Sequence, residues 1–109
     1  MKLVRDRIPE LATSNGQPGA FHEADPEEFG RLLRAKLLEE AAEAATAAPA
    51  ELLDELGDVL QVLYALASQA GYSPAETECA RARKARTRGA FTRRVVWHDP
   101  PAREDGTHE

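Results

Sequence analysis

The sequence predicts an all-α domain of three long helices and a short N-terminal helix, with minor short strand content. Three observations predict it. Two proline-led helix starts carry capping signals, apolar residues recur at helical spacing behind them, and 109 residues suffice for one domain and not two. A chain this short buries a limited core, which makes it a candidate for completion by oligomerisation.

Taken in order, Pro9–Ser14 reads as the short helix, since the fixed φ of proline suits a first turn. Asn15 to Gly19 is a loop, and Ala20–Glu23 is short and extended. Asp25-Pro26-Glu27-Glu28 opens the first long helix, with Asp25 as N-cap, proline at the first helical position and Glu28 in capping-box position. That helix runs to about Thr46 and is interrupted at Ala47-Ala48-Pro49. The second long helix covers about Pro49–Ala70 and stops at Gly71. Ser73-Pro74-Ala75-Glu76 starts the third in the same manner as the first, and it ends near Arg88, before Gly89. Arg93–His98, β-branched and aromatic, reads as a short strand. The domain is expected to span residues 1–98, and the polar, Pro-rich stretch 99–109 reads as a disordered tail.

Fourteen Lys+Arg against 19 Asp+Glu give a net charge of −5, and 42% of residues are hydrophobic. The acid excess disfavours a general nucleic-acid partner, because binding a phosphate backbone needs net positive surface. Cys79 is the single cysteine. It excludes an internal disulfide and a multi-Cys zinc site, suits a reducing cytoplasm, and in an alanine-rich helix reads as packing. No signal-peptide-like run and no stretch of about 20 apolar residues appears, so neither export nor a membrane partner is expected.

The acids are placed where acids are not usually placed. At about 100° per residue, Phe29, Leu32, Leu33 and Leu37 define the core-facing side of the first long helix. Glu40 and Glu43 fall inside that arc, with Glu39 at its edge. On the second long helix Leu52, Leu56, Val59 and Leu63 form the apolar face, Glu55 lies at its flank and Asp58 at its margin. Gly57, in mid-helix, costs about 1 kcal/mol relative to alanine. A hairpin turning at Ala48-Pro49 sets Glu43 opposite Glu55 and Glu40 opposite Asp58. Four carboxylates then share one small volume, so some protonate or a cation sits among them. An all-oxygen ligand set suits Mg²⁺ or Mn²⁺ rather than zinc.

Glu39-Glu40-Ala41-Ala42-Glu43 followed by Glu55-Leu56-Gly57-Asp58 resembles the EExxE…ExxD signature of the MazG-like all-α nucleotide pyrophosphohydrolases. The opening Lys2-Leu3-Val4-Arg5-Asp6-Arg7-Ile8-Pro9 is similar to the start of their phosphoribosyl-ATP pyrophosphohydrolase-like branch. Arg88-Gly89-Ala90-Phe91 resembles that branch's RGGF stretch, with Ala90 in place of the second glycine. The resemblance implies Mg²⁺-dependent hydrolysis of a nucleoside triphosphate to monophosphate and pyrophosphate by a homodimer or homotetramer, with neighbouring subunits completing the site. It implies Glu40, Glu43, Glu55 and Asp58 as metal ligands and Glu39 as a further catalytic acid. A house-cleaning role on non-standard or damaged nucleotides is the leading expectation, and phosphoribosyl-ATP hydrolysis in histidine synthesis is the alternative.

Arg81, Arg83, Lys84, Arg86, Arg88, Arg93 and Arg94 form a basic region, and Lys2, Arg5 and Arg7 a smaller one. Arg81, Lys84 and Arg88 share one helix face. They read either as a phosphate clamp or as a solvated face whose cations favour a helix C-terminus. Lys84 and Arg88 are the first candidates for substrate binding, with Arg5 and Arg81 beside them. The same basic region supports a rival from another class, a helical nucleic-acid-binding or interaction module, but the aromatic platform such a module uses is missing. Phe91 and Trp97 read as core or interface, or as a stacking surface for a base. His22 and His98 have no second ligand at helical spacing and read as surface or strand-end residues.

Overall fold

The computed structural model describes residues 1–102 and contains four helices: α1 (Ile8–Ser14), α2 (Pro26–Thr46), α3 (Pro49–Gln69) and α4 (Pro74–Arg88). No strand occurs among the described residues. No helix among them is long and apolar enough to cross a membrane. The chain divides into two compact units, one covering Met1–Ser73 with α1 to α3, the other beginning at Pro74 and carrying α4.

Local chemistry sets the helix ends. Asp25 accepts a hydrogen bond from the Glu28 backbone N–H at 2.9 Å, the N-cap that the sequence predicts, with Pro26 at the first helical position. The Glu28 side chain goes to His22 Nε2 at 2.8 Å, so His22 is engaged at the entrance of α2. Ala47 and Ala48, both extended, make the two-residue turn of the hairpin, and Pro49 opens α3 without a side-chain cap. At the far end Gly71 takes φ +94°, its N–H donating to Ser68 and that of Tyr72 to Ala67. These paired bonds close the last turn and need a residue that tolerates positive φ.

The first unit is an antiparallel α2–α3 hairpin with the N-terminal segment beside it. Gln69, on the last turn of α3, donates its amide to the Pro26 carbonyl at 2.7 Å. A Cβ on Gly30 would lie 2.8 Å from that amide, so this close approach uses the missing side chain. Leu33 (2% exposed) and Val62 (8%) are the buried apolar residues, and Glu40, also 8% exposed, is buried with them.

The face that α3 packs is rotated from the expected one. Its buried and half-buried positions centre on Val62 and include Glu55, Asp58, Val59, Ala65 and Leu66. Leu52, Leu56 and Leu63, expected to face the core, are exposed. One neighbouring helix can cover only one stripe of α3, and the covered stripe is the one holding the acids.

In the second unit Gly89 ends α4 with φ +82°, its N–H bonded to the Ala85 carbonyl. The strand expected over Arg93–His98 is absent. Residues 91–93 turn instead, and Arg94 adopts φ +56°, which breaks any extended run. β-branched content favours a strand only where a partner strand exists to pair with, and the described residues supply none. Phe91, Val95, Val96 and Trp97 are exposed, so the core reading of Phe91 and Trp97 does not hold within this chain. Cys79 is exposed as well, contrary to the packing role expected of it. Of the expected tail, residues 103–109 lie outside the described residues.

Candidate active site

The hairpin brings together three of the four acids expected to converge. One carboxylate oxygen from each of Glu40, Glu55 and Asp58 lies within 4.8 Å of the others. Glu40 comes from the buried stripe of α2, and Glu55 and Asp58 sit one turn apart on α3. Glu40 is held from its own helix by Lys36, one turn back, with Nζ 3.2 Å from Oε1. The second oxygen, Oε2, is buried without a hydrogen-bond partner, and so is Oε2 of Glu55. Unsatisfied buried carboxylate oxygens are costly, and a cation placed among them removes the cost.

Glu43 is not part of the trio. It is exposed, one turn from the end of α2. It remains electrostatically tied to the cluster: the charge of Glu40, first, then hydrogen bonding to Glu40, burial and the charges of Glu55 and Glu39 hold its carboxyl above the usual range. Glu39 behaves oppositely. Lys36 at 3.5 Å and Lys2 at 3.4 Å keep its carboxyl below the usual range, Lys36 contributing most. Adjacent Glu39 and Glu40 thus differ, Glu40 buried in the cluster and Glu39 half-buried between two lysines.

Of the expected substrate-binding residues, Arg5 lies at the cluster, its guanidinium 2.7 Å from Asp58 Oδ1. Arg81 is paired along α4 with Glu78, Nε 2.9 Å from both carboxylate oxygens, which raises the guanidinium further and lowers the acid. Lys84 and Arg88 follow it on α4. Lys36 is the residue that sequence reasoning missed. Its i,i+3 and i,i+4 spacing to Glu39 and Glu40 was a readable signal for a helical ion pair.

Beside the acids lies a cavity of about 450 Å³. Residues Leu3 to Asp6 of the N-terminal segment wall one side, Phe29, Leu33, Val62 and Ala65 supply apolar surface, and Glu40, Asp58 and Gln61 supply polar groups. Its size falls within the range of small-molecule sites.

A two-helix hairpin with inward carboxylates bordering a partly apolar cavity defines a class, the all-α proteins whose acids stand where they could hold a metal ion. The sequence matches the family model of phosphoribosyl-ATP pyrophosphohydrolase over residues 11–85. The chain belongs to that family, within the MazG-like superfamily, and is accordingly a pyrophosphohydrolase acting on a nucleotide triphosphate-like substrate. No curated protein and no solved structure matches it.

Proposed function

We propose that this protein hydrolyses a nucleoside triphosphate, non-standard or damaged, to the monophosphate and pyrophosphate, with Mg²⁺ or Mn²⁺ held by Glu40, Glu55 and Asp58. The observation that carries the reading is the pair of buried, unpartnered oxygens on Glu40 and Glu55 inside the three-acid group. Carboxylate oxygens alone make a hard donor set, which fits a hard cation. Bound there, the ion would supply charge neutralisation for the phosphates and a more acidic water. Glu43, outside the trio, completes the ligand set or accepts a proton at its exposed carboxyl. Glu39 stays ionised between its lysines and orients a donor. Arg5 on the N-terminal segment supplies a cation for phosphate oxygens; Lys84, Arg88 and Arg81, on the separate unit of α4, are further candidates for phosphate contact by their charge alone.

A second reading is favoured by the family match itself: the substrate is phosphoribosyl-ATP, as in histidine synthesis. Both readings share the acid cluster and differ in the nucleoside end.

The site works in a homodimer or homotetramer. Leu52, Leu53, Leu56, Leu60 and Leu63 of α3 are all exposed in the single chain. A leucine face of this extent is ordinarily covered by protein.

The test is a panel of canonical and modified triphosphates plus phosphoribosyl-ATP, assayed for pyrophosphate with Mg²⁺ and with chelator. Pyrophosphate release from a modified triphosphate, abolished by chelator, is the expected result. Exclusive turnover of phosphoribosyl-ATP selects the second reading. Release of orthophosphate, or no turnover, overturns both.

A further inference from the structure

The cluster has internal cations, and they come from two sources. Lys36 reaches Glu40 along the same helix. The other two come from a segment that precedes α1: Lys2 binds Glu39 on α2 at 3.4 Å, and Arg5 binds Asp58 on α3 at 2.7 Å. Between these two tethers, residues Leu3 and Val4 lie along the cavity that borders Glu40 and Asp58. The segment is therefore strapped across both arms of the hairpin by its charges.

We infer that Arg5 is an exchangeable counter-ion of the acid cluster, displaced from Asp58 when a divalent cation binds and thereby released to the phosphates of the substrate. The inference rests on the metal-site reading above and adds an order of events to it. Three carboxylates within 4.8 Å attract positive charge. A guanidinium satisfies that attraction at Asp58 with a single charge. A divalent ion placed among Glu40, Glu55 and Asp58 satisfies it with two and repels the guanidinium from the same oxygen. Both partners of the Arg5–Asp58 pair keep solvent contact, with 58% and 40% of their side chains exposed, so water stabilises each once they separate. The freed guanidinium is already at the wall of the cavity and presents a planar fork suited to phosphate oxygens. Arg5 is thus a binding residue for the anionic end of the substrate, and its availability is conditional on the metal.

The experiment is a Mn²⁺ titration of the full chain without nucleotide, followed by the free-ion electron paramagnetic resonance signal, for wild type, Arg5→Ala, Arg5→Lys and Glu55→Gln. Removing a competing charge at this range strengthens ion binding by about three- to tenfold after salt screening. Arg5→Ala is expected to tighten Mn²⁺ binding by that factor, and Arg5→Lys to stay near wild type. The exposed, non-helical position of Arg5 leaves the fold intact, which far-UV circular dichroism checks. Unchanged or weaker binding in Arg5→Ala overturns the inference alone, because it means that Arg5 is neutral to the metal or orients Asp58 for it. Wild-type binding that is absent, or indifferent to Glu55→Gln, overturns the metal-site reading and the inference with it.

Discussion

Lys36 Nζ sits 3.2 Å from Glu40 Oε1, and the other oxygen of that carboxylate is buried with no partner. The lysine therefore neutralises the charge of Glu40 while leaving half of its hydrogen-bonding capacity unspent. That second oxygen is where a cation could bind without displacing the lysine.

Replacing Lys36 by Met strips Glu40 of its cation. Both side chains are largely buried, 16% and 11% exposed. Removing one partner of a fully buried pair costs about 3–5 kcal/mol, and here, with some water retained, about 2 kcal/mol is expected. Chemical denaturation in chelator reads this loss. Added Mg²⁺ should restore more stability to Lys36→Met than it adds to wild type. Equal gains in the two proteins would mean that the ion does not reach Glu40.

Glu55→Gln and Asp58→Asn keep size and lose charge. Each is expected to lower the rate of pyrophosphate release by about 100-fold or more, the scale on which a developing-charge contact counts. Helical content by circular dichroism should stay unchanged, since both side chains are only half-buried. Glu39→Gln should cost less, because its lysine partners place it outside the trio.

The acids also give the metal-free protein an unusual acid response. Glu43 titrates above its ordinary 4.5 in the folded state, so the fold prefers its protonated form. That contribution is fully present below 4.5 and is lost as pH rises through the raised value. Glu39, held below 4.5, contributes in the other direction: its stabilisation is present above 4.5 and lost as pH falls through the lowered value. In chelator at pH 7, Glu43→Gln should therefore melt higher than wild type and Glu39→Gln lower; the first difference shrinks as pH falls toward 4.5, the second only as pH falls below it. A Glu43→Gln protein that melts lower at pH 7 would show that the repulsion is not there.

Gly57 lies in mid-helix on α3, and a Cβ there would meet nothing within 4 Å. Gly57→Ala should stabilise the protein by about 0.5–1 kcal/mol. A rise in melting temperature of several degrees is the expected readout, on the scale of about 4–8 °C per kcal/mol. Activity lost from a more stable protein would show that substrate or a second subunit approaches this backbone closely.

Helix boundaries were legible in the sequence because they rest on local chemistry. Asp25, Pro26, Pro49 and Gly71 each act within one turn, and the structure ends its helices at them or next to them. The meeting of Glu40 with Asp58 was legible because a two-residue turn leaves an antiparallel pair little freedom of register. What was not legible depends on neighbours. The sequence has Leu52, Leu56 and Leu63 facing inward on hydrophobicity alone, yet a single hairpin arm covers the stripe of Val62, Glu55 and Asp58. The Val95-Val96-Trp97 run fails to form a strand because strands need partners. Glu43 falls in the apolar arc by angle yet is exposed, since a helical wheel gives direction and not depth.

Leu56 and Leu60 are 49% and 46% exposed, and Leu53 is 80% exposed. In a monomer, changing such residues to lysine is nearly neutral, within about 0.5 kcal/mol. In an oligomer that buries them, the same change places charges in an apolar contact and costs the contact itself. The wild-type chain is expected to sediment as a dimer or tetramer, and Leu56→Lys/Leu60→Lys as a smaller species. If the leucine face is covered by a second subunit, melting of the wild type depends on protein concentration, and melting of the double variant does not. A wild type that sediments as a monomer at micromolar concentration would leave the leucine face uncovered in solution and remove the oligomer from the proposal.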